Sequence, residues 1–247
     1  MELAKVLEIK SRYSEVQRQI QEACEKADRN WRDVRLMLAT KTIPSEYVKI
    51  AIDLSHTLFG ENKVQELKVK ARDLASYPIN WHFIGHLQSN KVKECLNVAS
   101  VIESVDRMSI ALEIDRQLQK QGRSVDVFVQ VNTSHEQSKF GLEPQDLHAF
   151  LRQLSKIETI RVKGLMTLAL FSADQDKVRL CFKTLRRLFN EIKNEAIDRI
   201  EMSELSMGMS SDFKIAVEEG ATLVRVGQAV FGTRSRPDSY YWPEKKA

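Results

Sequence analysis

The stretch 204–228, ELSMGMSSDFKIAVEEGATLVRVGQ, decides the fold. Glu204 to Met207 reads as a strand, and Gly208 interrupts it. A helix follows from about Ser211 to Glu219 and is stopped by Gly220. Thr222 to Val226 reads as a second strand, closed by the turn Arg225-Val226-Gly227-Gln228. Two strands joined through one helix form a parallel unit, because a parallel pair needs a crossover connection.

Working outward, the same alternation fills the chain. Earlier strands are predicted at Leu36–Ala39, Thr57–Phe59 (ended by Gly60), Trp81–Ile84 (ended by Gly85), Val101–Val105, Val125–Val131 and Arg161–Met166. Val125–Val131 is the clearest, dense in β-branched residues. Helices lie between them: one starting at Pro44, Glu61–Ala75, Gln88–Leu96, and three marked by Ile110 to Leu118, Leu147 to Leu154 and Val178 to Ile192. A short last helix begins near Gln228. Leu3, Val6, Leu7, Tyr13, Val16, Ile20, Cys24 and Ala27 keep helical spacing, so an extra amphipathic helix opens the chain. Eight strands alternating with helices predict an α/β fold, a single-domain (β/α)8 TIM barrel with an extra N-terminal helix. An open doubly wound sheet also alternates; eight nearly equal units favour closure. The expected layout is a helix over 1–30 packed on the barrel, the barrel over 31–236, and a tail over 237–247.

Composition fits that reading. The 247 residues suit one barrel, and 43% hydrophobic with 29% charged residues is ordinary for a globular chain. The net charge of +4 owes much to Arg234, Arg236, Lys245 and Lys246. It hints at anionic ligands and is poor evidence for nucleic acid. Cys24, Cys95 and Cys181 are odd in number and far apart. That pattern predicts free thiols in a reducing cytoplasm, with no disulfide framework and no structural zinc. Met1 to Lys5 carries charge early, so no secretory signal is expected. The apolar run near Gly164–Phe171 is too short to cross a bilayer.

In a closed barrel the C-terminal ends of the strands form the active end. Lys41 ends the first strand there, Asn62 follows the second, His82 lies in the third with His86 just beyond, and Asn132 follows the fifth. Met166 ends the sixth, and the two glycine turns follow the seventh and eighth. Ser210 and Ser211 at one expected helix start, and Gly227 and Gln228 at another, offer free N–H groups and positive dipole ends that suit a phosphate. Each residue alone has a plainer reading. Ser210 is a helix cap, Gly227 a tight turn, Lys41 a solvated lysine, His82 a hydrogen-bonded core residue, and Arg225 a structural ion pair. Their convergence on one rim puts an amine across from a phosphate cradle, which is what a pyridoxal phosphate site requires.

Several segments, in order along nearly the whole chain, carry a family resemblance. They are ATKT (39–42), FGENKVQE (59–66), WHFIGHLQSNK (81–91), SKFG (138–141), GLM (164–166), LSMGMSSD (205–212) and RVG (225–227). The sequence resembles the pyridoxal phosphate homeostasis proteins, also called the proline synthase co-transcribed family. That family is similar to the N-terminal barrel of alanine racemase but lacks its second, β-rich domain. The resemblance implies that Lys41 holds pyridoxal 5'-phosphate as an aldimine. It further implies that Ser210 and the backbone of Gly227 and Gln228 cradle the phosphate, that Arg225 faces the pyridine nitrogen, and that Asn62, His82 and Met166 line the pocket. The family usually has threonine where this chain has Gln228, so only that residue's backbone N–H carries over.

An arginine donates hydrogen bonds and stays charged, so opposite the pyridine nitrogen it keeps that nitrogen unprotonated and the ring a weak electron sink. The expectation is a monomeric carrier or regulator of the cofactor in vitamin B6 and amino-acid metabolism, not an efficient enzyme. Its partners would be pyridoxal phosphate and apo-enzymes that use it, with no nucleic acid and no membrane. Lys139 and the basic tail are candidates to assist transfer, or solvated surface. Two rivals stay open. One is a pyridoxal phosphate-dependent amino-acid racemase or lyase, which needs a tyrosine or cysteine base across the pocket; Tyr47, Tyr77, Tyr240 and Tyr241 lie in no motif that places them there. The other is a phosphosugar enzyme that uses the same phosphate site without the cofactor.

Overall fold

Eight short strands pair in parallel, each with its sequence neighbours, and the last pairs with the first. In this computed structural model, which describes residues 3–233, they are β1 (Arg35–Ala39), β2 (Leu58–Glu61), β3 (Asn80–Phe83), β4 (Val101–Val105), β5 (Val125–Gln130), β6 (Ile160–Met166), β7 (Ile200–Ser206) and β8 (Leu223–Val226). Closure runs over Arg35 opposite Leu223 to Leu38 opposite Val226. The helices are α1 (Leu3–Lys26), α2 (Ser45–Ile52), α3 (Val64–Asp73), α4 (Val92–Leu96), α5 (Met108–Gln119), α6 (Leu147–Leu154), α7 (Gln175–Glu195), α8 (Phe213–Glu218) and α9 (Gln228–Phe231). The expected (β/α)8 barrel with an extra N-terminal helix is the fold observed. The expected tail, Tyr240 and Tyr241 lie outside the described residues.

The strands are apolar on both faces, as a sheet covered by helices requires. Alternation sorts the two faces into two cores. Met37, Ala39, Leu58, Ile84, Val101, Phe128, Met166 and Leu223 cluster in the barrel interior. Leu38, Phe59, Trp81, Phe83, Val127, Val129, Leu205, Val224 and Val226 join the larger core between strands and helices. Into that layer α1 sets Ile9, Val16 and Ile20, all nearly inaccessible. Each such side chain contributes about 1.5–3 kcal/mol relative to exposure. Tyr13 on α1 reaches His56 (3.1 Å), whose other ring nitrogen meets the Leu58 carbonyl (2.8 Å). The opening helix is therefore tied to the foot of β2.

Several boundaries differ from the sequence reading. Gly60 lies inside β2, opposite His82, and Glu61 continues the strand opposite Phe83. A side chain at 60 would fall 2.5 Å from the Met37 sulfur, so glycine here answers interior crowding and does not end the strand. The helix expected from Glu61 begins only at Val64. The helix expected over 88–96 opens as a 3-10 turn, Ser89–Lys91, ahead of α4. The helix expected from Ser211 begins at Phe213, with Asp212 as its cap residue.

Candidate functional site

Parity along each strand decides what the mouth of the barrel contains. In β1, Met37 and Ala39 belong to the interior cluster, while Leu38 faces the helices and the Thr40 hydroxyl bonds to Glu61 (2.6 Å). Continuing that alternation assigns Lys41 to the inside; the residue is 4% exposed. The same count on β2 runs Leu58, Gly60, Asn62, and Asn62 is buried two residues past Gly60. The carbonyl of Asn62 packs against Gly85, where a side chain would fall 2.1 Å from it. Met166, fully buried at the end of β6, is part of the interior cluster.

Below this rim lies a chain of polar side chains from four strands, all buried. His82 on β3 places Nδ1 2.6 Å from Glu103 Oε1 on β4. The other oxygen of Glu103 accepts from the Ser206 hydroxyl on β7 (2.5 Å). Ser206 in turn accepts from Arg225 Nη1 on β8 (2.6 Å), and Arg225 Nη2 donates to the Thr167 carbonyl (2.7 Å). Burial lowers the Arg225 pKa from its ordinary value, and the charges of Glu103 and Asp212 oppose that shift. Glu103 is thus the buried counter-charge of Arg225, linked through one hydroxyl. His82 Nε2 is buried and has no hydrogen-bond partner among the described residues, a condition a native core leaves to few atoms.

The turns after β7 and β8 interlock. Ser210 Oγ accepts from the N–H groups of Gly227 and Ala229, both at 3.2 Å. Ser210 therefore caps α9 across the gap and does not start its own helix, contrary to the sequence reading. Asp212 holds the N-cap position of α8 without a side-chain bond into the helix, and its carboxylate accepts from Met209 N (2.5 Å) in the preceding turn. Burial raises the Asp212 pKa, against the lowering influence of the Met209 N–H, Arg225 and Lys139. Gly227 is fixed by contact: a side chain there would fall 2.7 Å from the Ala39 carbonyl. That closeness sets the N–H pair of α9 against β1, two residues before Lys41. Gln228 begins α9 with its N–H between the two that Ser210 holds.

The loop after β5 forms one wall. Gln130 Nε2 donates to the Phe140 carbonyl (3.0 Å), and the Asn132 amide N–H donates to Leu142 (2.8 Å). Phe140 stacks on His86, centroids 3.7 Å apart. Lys139 reaches the Ala169 carbonyl (2.8 Å). The SKFG segment thus meets the WHFIGH segment, far apart in sequence, at one edge of the mouth.

Lys41, Asn62, His82, Met166, Ser210, Arg225, Gly227 and Gln228 all sit at the C-terminal half of the strands or just beyond. Sequence reasoning missed Glu103, the Ser206 hydroxyl and Thr167. A readable signal existed for one: Glu103 is the lone acid inside an apolar strand, VIESV (101–105). Among the described residues no group of His, Cys, Asp and Glu is placed to hold a metal ion.

Comparison with known proteins follows the same lines. The family described as alanine racemase, N-terminal domain, matches residues 12–235. A pyridoxal phosphate homeostasis protein of Aquifex aeolicus is 39% identical over 223 residues, covering 90% of this chain and 97% of the relative. The structure of PipY from Synechococcus elongatus with PLP bound superposes with a TM-score of 0.75 at 34% identity, over 81% of this chain and 93% of that one. Alanine racemase of Clostridium difficile shares the fold, with a TM-score of 0.70 at 13% identity over 94% of this chain and 57% of that enzyme. Barrel and relatives agree, and the chain belongs to the pyridoxal phosphate homeostasis protein family.

Proposed function

We propose that this protein binds pyridoxal 5'-phosphate at the mouth of the barrel, covalently through Lys41, and serves as a carrier or regulator of the cofactor. The observation that carries the reading is the buried Lys41 at the end of β1, with the paired N–H groups of Gly227 and Ala229 packed against the same strand. When bound, the cofactor supplies an aldehyde that condenses with a neutral primary amine, releasing water, together with a phosphate dianion and a pyridine nitrogen. The residues present fit each of these features. Lys41 is the amine, buried at the end of β1. The Ser210 hydroxyl holds two N–H groups in register and is free to turn its proton toward an anion. Gln228 contributes its backbone N–H. Arg225, with two of its nitrogens committed to Ser206 and Thr167, is the cation assigned to the ring nitrogen. Asn62, His82 and Met166 wall the ring, and His82 Nε2 is a buried atom awaiting a partner.

The carrier reading is favoured over catalysis by where the other reactive side chains lie. Tyr13, Tyr47 and Tyr77 pack in the layer between strands and helices, as do Cys24, Cys95 and Cys181. Among the described residues, no tyrosine or cysteine joins the interior cluster, so none is placed as a second base opposite Lys41. Transfer to apo-enzymes, action as a monomer and residence in the cytoplasm belong to the same proposal. No helix among the described residues is long and apolar enough to cross a membrane.

The test is borohydride reduction of protein mixed with pyridoxal phosphate, with the modified residue mapped by mass spectrometry. The expected result is one modified residue, Lys41, and a visible absorption band that Lys41→Ala abolishes. A colourless protein with no reducible adduct overturns the reading in favour of a sugar phosphate. Steady racemisation of amino acids at ordinary enzyme rates, roughly 1–1000 per second, overturns the carrier role.

A further inference from the structure

Lys41 sits in a strained turn. Thr42, the next residue, has φ +66°, a region that β-branched side chains avoid. Such a conformation persists only where its surroundings enforce it, and here two side chains do so beside the turn's own bond from the Ile43 N–H to the Thr40 carbonyl (2.9 Å). The peptide group before the Lys41 Cα ends in the Thr40 carbonyl, which accepts from Lys70 Nζ (2.5 Å). The peptide group after it carries the Thr42 N–H, which donates to Glu66 Oε2 (2.7 Å). Both peptide planes flanking Lys41 are therefore fixed, and with them its φ and ψ.

The two fixing residues stand one turn apart on α3 and approach each other at 3.5 Å. Lys70 is also ion-paired with Glu61, whose side chain is wholly buried and also accepts from the Thr40 hydroxyl. Burying an ion pair gains little stability over an apolar packing of the same shape. Glu61 follows inward-facing Gly60 on β2, so this pair lies between β2 and α3 and does not line the barrel mouth. Its hydrogen bonds go to the backbone and side chain of Thr40.

We propose that Glu66 and Lys70, anchored by Glu61, are positioning residues that aim the Lys41 amine from outside the barrel. The inference rests on the reading of Lys41 as the attachment point. It predicts a split. Loosening the clamp slows covalent attachment and leaves binding of the phosphate unaffected, because the cradle belongs to β7, β8 and α9.

The experiment compares Glu66→Ala, Glu66→Gln and Lys70→Met with the unaltered protein. One measurement is the rate at which the visible band grows on mixing with pyridoxal phosphate. The other is the dissociation constant of pyridoxine 5'-phosphate, which carries an alcohol in place of the aldehyde and so reports non-covalent binding alone. Misaiming a reacting group by about 1 Å costs up to roughly a hundredfold in rate. Glu66→Ala and Lys70→Met are expected to slow attachment about ten- to a hundredfold, with pyridoxine phosphate affinity unchanged. Glu66→Gln keeps an oxygen for the Thr42 N–H and restores the rate. Should Lys70→Met fail to fold, the half-exposed Glu66 position carries the test. Unchanged rates in Glu66→Ala, or equal losses of rate and affinity, overturn the clamp. Absence of the band in the unaltered protein overturns the clamp together with the reading of Lys41.

Discussion

Arg225 carries its charge at 3% exposure, and its counter-charge, Glu103, is inaccessible. Removing one member of such a chain leaves the other buried without compensation, which costs roughly 1–3 kcal/mol or more. Glu103→Gln keeps shape and removes charge, so the unfolding free energy from urea titration is expected to fall by that amount, through a lower midpoint with the slope unchanged. An unaltered midpoint would mean that Arg225 is neutralised elsewhere. Gly227 answers to packing instead. A methyl group added there meets the Ala39 carbonyl at 2.7 Å, and overpacking of this kind costs about 1–3 kcal/mol. Gly227→Ala should lower the melting temperature and weaken pyridoxine phosphate binding together, because the displaced backbone is the proposed cradle. At this scale the sequence was legible where a residue type is unusual for its place, as with a lysine or a glycine at a strand end. It was opaque where a residue is ordinary. Ser206 and Thr167 are common strand-end residues, and only closure of the barrel brings the first to Glu103 and the second to Arg225.

Among the elements, α1 has the connection most open to titration. His56 is buried between Tyr13 of α1 and the Leu58 carbonyl, and burial lowers its pKa from 6.5 to about 4. The hydrogen bond to Leu58 opposes that shift but does not reverse it. The folded protein therefore favours neutral imidazole, and the unfolded chain binds the extra proton between pH 4 and 6.5. Stability from this group is complete above pH 6.5 and is lost as the pH falls toward 4, by about 3 kcal/mol. Replacing His56 with glutamine should remove about one proton's worth of slope, roughly 1.4 kcal/mol per pH unit, from the stability curve in that window. An identical slope in the variant would show that His56 does not hold α1 in this way. The helices that bury a clear stripe, α1 and α7, were legible almost to their ends, because periodicity over many residues outweighs local choices. The short ones were not. The start of α8 differs by two residues from the sequence reading because a serine ahead of an apolar run reads as a cap, whereas Ser210 caps α9, an element that comes later in the chain.

Closure governs the behaviour of the whole molecule. Every strand has two bonded neighbours, so the sheet exposes no edge to open first, and a strand cannot leave without breaking two ladders. The cysteines report on this from separate sectors: Cys24 on α1, Cys95 on α4 and Cys181 on α7, all buried. Burial also raises the Cys24 and Cys95 thiols above their ordinary values, so the reactive thiolate is scarce as well as hidden. Near pH 8 the native protein is expected to resist an aromatic disulfide reagent. All three thiols should then react with the single rate constant of global unfolding. A fast phase confined to Cys24 would mean that α1 undocks while the barrel stays shut. In that case the low-pH loss assigned to His56 would be a local detachment, and the visible band of bound cofactor would outlast it.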